Sequence, residues 1–223
     1  MLDLLVVVPH PDDEVFGAGG LLVLAKRDGL RTGVLTLTRG EAGRTLGLCP
    51  QEELPQRRVE ELRRSAEVLG VDRLEVLSFP NGLPQEPDAL PRGPFSGKGL
   101  QEHPEAETAI RERLLAWRPR YVVTFPPDGI NGHPDHVACS RYTTRATQGL
   151  ARLFYYAPPQ GSLPVTHRLR LDEEALARKL RAMAQYKTQA LSVLAFIERA
   201  PERVWTETFH EVGKEAGWVG KWW

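Results

Sequence analysis

Two clusters of polar residues each follow an apolar stretch, and both hold side chains that bind metals. Pro9-His10-Pro11-Asp12-Asp13-Glu14 follows residues 2–8, which are apolar apart from Asp3, and Asn131-Gly132-His133-Pro134-Asp135-His136 comes after the largely apolar residues 120–125. His10 and Asp13 are three residues apart, a spacing that lets an imidazole and a carboxylate face one ion. Three protein ligands of these types plus a water form the usual catalytic zinc site. The spacing therefore predicts a metal centre, provided that the fold brings the clusters together.

The residue types suggest a role for each member of the clusters. The candidate metal ligands are His10, Asp13 and His136. Zinc bound in this way lowers the pKa of its water towards about 7. Asp12 remains as the candidate general base for that water. His133 is expected to steady an oxyanion or to protonate the leaving group, and Asp135 to orient His133 through a hydrogen bond. Together these groups predict metal-assisted hydrolysis.

Simpler explanations exist for parts of the clusters. Two aspartates after a strand often cap a helix, because an oxygen accepts an N–H there and the charge favours the helix dipole. Asp135 can cap the helix that follows it, and Gly132 and Pro134 can shape a turn. Capping does not explain two histidines within four residues. Metal binding is therefore the preferred interpretation.

The glycines of Gly17-Ala18-Gly19-Gly20 suggest a pyrophosphate-binding loop, since such loops follow the first strand of dinucleotide-binding folds. Leu22 stands where the third glycine of that motif belongs, and acidic residues occupy the place of the phosphate. We therefore interpret these glycines as positions of close packing between helix and sheet.

The remaining pattern predicts the elements that must position the clusters. Apolar runs predict strands at residues 2–8, 32–38, 73–79, 120–125 and 153–157. Periodic segments predict helices at 17–28, 54–69, 103–117, 135–149 and 172–186, followed by a mixed tail. This alternation indicates an α/β fold with a mostly parallel sheet covered on both faces. Ligands bind such sheets at the carboxyl ends of strands where the strand order reverses, so we expect Val8 and Phe125 to end neighbouring strands.

Composition excludes several other classes of function. Lys plus Arg and Asp plus Glu are both 29 in 223 residues, so no net charge attracts nucleic acid or an anionic membrane. Cys49 and Cys139 form no C-x-x-C pair, which predicts a reducing compartment and no thiolate zinc site. The first apolar run is too short for a signal sequence or a membrane span. We predict one cytoplasmic domain, 1–223, with no nucleic-acid or membrane partner.

The paired motifs resemble those of the LmbE-like, or PIG-L, family of zinc-dependent N-acetylglucosamine deacetylases. The family's [AP]-H-P-D-D-E opening stands at Pro9 to Glu14, and its G-x-N-G-H-P-D-H motif stands at Gly129 to His136. Thr38-Arg39-Gly40-Glu41-Ala42-Gly43 matches its T-x-G-E-x-G loop, and Arg58-Val59-Glu60-Glu61-Leu62 its R-x-E-E-L helix. The resemblance covers about residues 2–150, the motif-bearing core. It implies a Rossmann-like, three-layer fold and the roles given above.

The resemblance also implies a substrate, and two departures from the family bear on it. The expected substrate-binding residues are Arg58, Asn81 and Asn131. Asn81 stands where many members have aspartate on sugar hydroxyls, and it hydrogen-bonds without charge. Tyr186 stands where members often have histidine on a late helix. It either alters substrate preference or simply packs its ring.

The implied function is removal of the N-acetyl group from a small N-acetylglucosamine conjugate, such as a thiol precursor with malate or inositol as aglycone. The cofactor is expected to be Zn²⁺, with another divalent metal such as Fe²⁺ as the alternative. The alternative substrates are chitobiose or lipid-linked glucosamine. A pocket closed by residues 80–99 would favour small substrates over these longer ones. A non-catalytic metal-binding domain is a further alternative.

Residues 151–223 are predicted to determine specificity and to form a homo-oligomer contact. Four of the five tryptophans lie in this region. Trp205 is expected in the core. Trp218, Trp222 and Trp223 are candidates for sugar stacking or a subunit contact, and the chain-terminal pair is expected at the pocket rim or an interface.

Overall fold

One sheet of seven strands organises the computed structural model, which describes residues 1–82, 99–215 and 220–223. The strands are β1 (Leu4–Val8), β2 (Thr32–Thr38), β3 (Arg73–Phe79), β4 (Tyr121–Thr124), β5 (Arg152–Tyr156), β6 (His167–Arg170) and β7 (Thr206–Glu211). Their order across the sheet is β3-β2-β1-β4-β5-β7-β6. The strands from β3 to β5 are parallel, whereas β7 is antiparallel to both β5 and β6. The predicted mostly parallel α/β sheet is confirmed.

Helices cover both faces of this sheet. They are α1 (Asp13–Arg27), α2 (Leu54–Leu69), α3 (Glu105–Trp117), α4 (Pro134–Thr147), α5 (Glu173–Met183), α6 (Ala190–Arg199) and the single turn α7 (Glu202–Trp205). Strand β1 is apolar on both sides, as expected of a central parallel strand. Val6 and Val8 pack in one core with α1 and α5, and Val7 packs in the other with α3 and α4. In the part of the chain that the structure describes, no helix has the length and apolarity to span a bilayer.

The strand order reverses at β1. The chain runs from β1 to β2 and β3 on one side, and β4 then pairs with β1 on the other side, with Val6 opposite Val123. The carboxyl ends of β1 and β4 are therefore neighbours, as the sequence predicted from the two clusters. A crevice at such a reversal is the usual ligand site of an open parallel sheet.

Helix α1 begins at Asp13, four residues before the predicted start at residue 17. Its backbone departs from helical geometry at Ala18, where φ is −142°. The carboxylate of Glu207 accepts hydrogen bonds from the N–H groups of Gly20 and Leu21, both at 2.7 Å, just beyond this kink. Strand β7 thus stabilises a helix that is almost two hundred residues away in sequence.

The tail after residue 186 contains α6, α7 and β7, where the sequence predicted only a mixed segment. The predicted uses of two tryptophans are wrong. Trp222 is buried in the core and stacks on Phe154 with the ring centroids 4.5 Å apart, whereas Trp205 is 43% exposed. Trp223 is half-buried and donates a hydrogen bond from its indole nitrogen to Asp28 at 2.8 Å. Trp218 lies outside the described residues.

Candidate active site

The three predicted metal ligands converge at the carboxyl ends of β1 and β4. The ligand atoms of His10, Asp13 and His136 lie within 4.8 Å of one another. Asp13 lies between the two imidazoles, with Oδ2 3.2 Å from His10 Nδ1 and Oδ1 3.7 Å from His136 Nε2. All three side chains are nearly buried. Two imidazoles and a carboxylate in this arrangement fit a divalent metal such as zinc.

Hydrogen bonds to the far ring nitrogens fix how both imidazoles face Asp13. His136 Nδ1 donates to the carbonyl of Gly129 at 3.1 Å, which leaves the lone pair of Nε2 on the side of Asp13. His10 Nε2 contacts Asp135 Oδ2 at 3.0 Å, which leaves Nδ1 facing Asp13. A carboxylate behind a ligand histidine is a common feature of metal sites, because it holds the ring and raises its basicity.

Asp135 therefore lies behind His10, whereas the sequence assigned it to orienting His133. Its carboxylate also accepts hydrogen bonds from the N–H groups of Gly82, at 2.7 Å, and Leu100, at 2.8 Å. The Asp135 backbone N–H donates to His133 Nδ1 at 3.1 Å, so His133 caps helix α4. The simpler explanation for Asp135, that its side chain caps α4, is therefore wrong, because the side chain of His133 caps this helix.

The charged groups of the site favour the binding of a cation. Burial disfavours the charged form of His10, but hydrogen bonds to Asp13 and Asp135 outweigh it and raise the pKa of His10 to about 10. Burial also acts to raise the pKa of Asp13, but the nearby His136 and His10 lower it to about 2. A divalent metal would replace the His10 proton, since metal ligands bind in their deprotonated forms.

Burial lowers the pKa of His133 to about 3, and the positive charge of His10 contributes to that shift. The imidazole is therefore neutral near pH 7. Because Nδ1 accepts a hydrogen bond from the Asp135 backbone, the proton of the neutral ring is on Nε2. This tautomer makes His133 a hydrogen-bond donor at Nε2, and the ring stacks on His136 with centroids 4.6 Å apart.

Asp12 has the features expected of a proton-transfer group rather than of a helix cap. It occupies the position before α1, yet its side chain accepts no hydrogen bond from the helix. Its φ of 120° lies in a region that costs energy for a residue other than glycine. Burial raises the pKa of Asp12 to about 8, although Arg58, whose Nη2 lies 3.2 Å from Asp12 Oδ2, opposes the shift. The capping explanation for Asp12 is therefore excluded.

The ligands, Asp12 and His133 all line a cavity of about 380 Å³. The predicted substrate-binding residues Arg58, Asn81 and Asn131 line it too. Each also has a structural contact: Arg58 donates to the carbonyl oxygen of Pro11 at 2.6 Å, Asn81 Oδ1 accepts from the Ala42 N–H at 2.9 Å, and Asn131 Oδ1 accepts from the His133 N–H at 3.1 Å. The sequence suggests that residues 80–99 close the pocket, but residues 83–98 lie outside the described residues.

The sequence placed specificity in residues 151–223, but it did not identify the side chains that this part contributes to the cavity wall. The wall consists of Gln189, Ser192, Ala195, Phe196, Arg199 and Arg203. Tyr186, which departs from the family pattern, does not line this cavity. Its ring is buried and its hydroxyl donates to Glu14 Oε1 at 2.5 Å. The apolar residues of α6 were a signal for a packed helix, but nothing in their order pointed to the cavity.

Comparisons with known proteins agree with the geometry. The family model described as PIG-L, GlcNAc-PI de-N-acetylase, matches residues 5–147. The 1D-myo-inositol 2-acetamido-2-deoxy-alpha-D-glucopyranoside deacetylase of Nocardia farcinica is 33% identical over 192 residues, which cover 80% of this chain and 63% of that protein. The chain thus spans less than two thirds of the length of this curated relative.

Two solved structures extend the similarity over the whole fold. The conserved protein TT1542 from Thermus thermophilus is 29% identical with a TM-score of 0.71, and the match covers 95% of both chains. The A40926 pseudoaglycone deacetylase Dbv21 is 26% identical with a TM-score of 0.70, covering 96% of this chain and 99% of that one. Both family motifs, the geometry they form and these matches lead to one conclusion: the chain belongs to the PIG-L, or LmbE-like, family.

Proposed function

We propose that this protein is a zinc-dependent hydrolase that removes the N-acetyl group from a small N-acetylglucosamine conjugate, releasing acetate and a free amine. The observation that carries the proposal is the placement of two proton-handling groups beside the triad. Asp12 and His133 line the same cavity as His10, Asp13 and His136. The names of the curated relatives support the sugar and the reaction.

His10, Asp13 and His136 would hold the metal, with Asp135 fixing the ring of His10. When bound, the metal polarises the amide carbonyl and lowers the pKa of water. The positive charge of a bound metal would favour the ionised form of Asp12. Its carboxylate, which Arg58 keeps in place, would then accept a proton from the attacking water. His133, neutral and protonated at Nε2, donates a hydrogen bond to the oxygen that gains charge. Asp12, which then carries the proton taken from the water, can pass it to the leaving amine.

The substrate is proposed to be a monosaccharide with a small aglycone, because a cavity of about 380 Å³ lies near the lower end of the usual range for ligand sites. Chitobiose and lipid-linked glucosamine remain alternative substrates of the same chemistry. Another divalent metal such as Fe²⁺ remains the alternative to zinc.

The test is acetate release from a panel of N-acetylglucosamine conjugates by chelator-treated protein, with and without added Zn²⁺. We expect release only after metal is restored. Asp12→Asn should retain zinc and lose at least about 100-fold in kcat, because general-base catalysis contributes 10²–10⁴-fold. Glu60→Gln, a matched carboxylate change on α2 outside the cavity, should leave kcat unchanged.

Two results would contradict the proposal. If the protein binds one zinc per chain but releases acetate from none of the conjugates, the metal site is supported and the proposed substrate is rejected. Full turnover by Asp12→Asn would reject the role of Asp12 as the base.

A further inference from the structure

Glu14 is the last residue of the first cluster, and none of the proposed catalytic steps uses it. Its side chain is fully buried and does not line the cavity. Three donors meet at its carboxylate: the Tyr186 hydroxyl donates to Oε1 at 2.5 Å, the Ser65 hydroxyl to Oε1 at 2.9 Å, and the Asp12 backbone N–H to Oε2 at 3.1 Å. A carboxylate can accept all three hydrogen bonds. Glu14 therefore links the proposed general base to two residues that lie far from it in sequence.

The backbone of Asp12 is held on both sides in an unfavourable conformation. Its φ of 120° and ψ of −27° lie in a sparsely populated region for a residue other than glycine. Its N–H donates to Glu14, and its carbonyl oxygen accepts from the N–H groups of Val15 at 3.2 Å and Phe16 at 3.4 Å. Such a conformation persists only where surrounding contacts determine it. Of these three contacts, a side chain supplies only the one from Glu14.

This conformation decides where the carboxylate of Asp12 lies. A residue before a helix usually has a β-region backbone and turns its side-chain oxygen to the N–H groups of the first turn. Asp12 has neither feature, since its side chain accepts no hydrogen bond from α1. Its carboxylate lines the cavity instead, with Oδ2 3.2 Å from Arg58 Nη2. Relaxation of the backbone to the usual geometry would turn the carboxylate from the cavity towards the helix.

Two elements outside the motif hold Glu14 in place. Ser65 lies on α2, and Tyr186 follows α5; both side chains are almost fully buried. The segment that carries Tyr186 is itself fixed to α2. Glu61 of α2 accepts from the Thr188 N–H at 3.1 Å and from the Thr188 hydroxyl at 2.6 Å. The Tyr186 hydroxyl is therefore a fixed donor to Glu14.

We propose that Glu14 is a positioning residue for Asp12, and that Ser65 and Tyr186 are its anchors. Together they hold the Asp12 backbone in the conformation that directs its carboxylate into the cavity. They act on the reaction through Asp12, because none of the three lines the cavity. This inference rests on the proposed role of Asp12 as the general base. It gives Tyr186 a role other than substrate preference or ring packing.

Tyr186→Phe removes one anchor and keeps the buried ring. The zinc-supplied protein is assayed with the conjugate of the panel that releases acetate fastest. We expect kcat to fall by about 10- to 100-fold, because a small displacement of a catalytic group can have an effect of this size. KM and the Kd for zinc should not change, since the hydroxyl contacts neither the cavity nor a proposed metal ligand. Glu14→Gln, which loses the charge that attracts the donors, should lower kcat at least as much.

A double-mutant cycle separates the positioning of Asp12 from a loss of stability. In the Asp12→Asn background, Tyr186→Phe should cause no further decrease in kcat, because the group that it positions no longer acts as a base. Tyr142→Phe is the matched control. The buried Tyr142 hydroxyl donates to the Gln101 carbonyl oxygen at 3.1 Å, outside the cavity. This variant should lower the urea midpoint of unfolding as Tyr186→Phe does, but it should leave kcat unchanged.

Amide hydrogen exchange gives a readout that does not depend on turnover. In the zinc-loaded protein, NMR should show that the Asp12 N–H exchanges faster in Glu14→Gln than in the wild type, by about 10-fold, because a neutral amide accepts more weakly than a carboxylate. Tyr142→Phe should retain the wild-type rate at Asp12.

The outcomes separate this inference from the proposed function. An unchanged kcat in Tyr186→Phe, or the same fractional decrease with and without Asp12→Asn, would reject the positioning role and leave the deacetylase intact. If no conjugate of the panel is hydrolysed, the proposed function is rejected. The exchange rate then still tests whether Glu14 holds the Asp12 backbone, and an unchanged rate in Glu14→Gln would reject that contact as well.

Discussion

Asp135 shows how a single carboxylate acquires its role from residues far away in sequence. It is fully buried and accepts from His10, Gly82 and Leu100, which belong to three separate segments of the chain. Because these contacts hold the ring of His10, a proposed metal ligand, we assign Asp135 to metal affinity rather than to substrate chemistry.

Asp135→Asn is predicted to weaken zinc binding by about 10- to 100-fold, the usual effect of removing a partner of a ligand histidine. An amide keeps the shape but loses the charge that makes His10 basic. Competition of the protein with a chromophoric chelator measures the Kd for zinc directly. Asn131→Asp is the matched control, since Asn131 lines the cavity without contacting a ligand ring. Unchanged zinc affinity with reduced turnover would instead support the original assignment of Asp135 to His133.

Both clusters could be identified from sequence, because the types and spacing of His10, Asp13 and His136 are unusual outside metal sites. The partner of Asp135 could not be identified in this way. It depends on the side-by-side placement of β1 and β4, which brings residues 10 and 135 together across 125 positions. The strained φ of Asp12 is likewise a property of the backbone at the strand end, and no residue type in that motif requires it.

At the scale of elements, a buried ion pair joins α1, α5 and β7. Lys179 of α5 is fully buried, and its Nζ lies 2.8 Å from Glu207 and 3.0 Å from the carbonyl oxygen of Arg203. Glu207 in turn accepts from α1 beyond the kink at Ala18. The pair thus fixes the helix that carries Asp13 relative to the segment that carries Arg203.

Lys179→Met is predicted to lower the free energy of unfolding by about 3–5 kcal/mol, because it leaves the charge of Glu207 buried and without its ammonium partner. Urea unfolding measures the change. Lys187→Met, which removes an exposed lysine from the same region, should change the free energy of unfolding by less than about 0.5 kcal/mol. Lys179→Met/Glu207→Gln should be less destabilised than the sum of the two single variants. Additive effects would show that the two residues do not stabilise the fold as a pair.

Periodicity predicted the five parallel strands and the helices between them, since each buries a regular apolar pattern. It failed for β6 and β7. Strand β7 reads Thr-Glu-Thr-Phe-His-Glu, and its polar side chains are buried through specific contacts such as that of Glu207 with Lys179. Such contacts come from tertiary structure, so neither hydrophobic alternation nor strand propensity indicated them.

At the scale of the molecule, the motif-bearing residues 1–150 and the remaining residues 151–223 share one core. Strand β5 pairs with β4 on one side and with β7 on the other. Tyr186 supplies a hydrogen bond to the fully buried Glu14, next to the proposed metal ligand Asp13. We therefore predict that the chain unfolds as one cooperative unit, in line with the single domain expected from its length.

Two probes in different parts of the chain test this prediction. Cys139 lies in the core on the α3 and α4 side, and burial raises the pKa of its thiol to about 12, so it should react with alkylating agents only when the chain unfolds. Cys49→Ser removes the other, half-buried thiol. Four of the five tryptophans lie after residue 200, so their fluorescence reports mainly on the C-terminal part. In urea, Cys139 labelling and tryptophan fluorescence should give the same midpoint, because neither part can bury its apolar surface alone. A fluorescence midpoint well below the labelling midpoint would show that residues 151–223 detach from a core that folds without them.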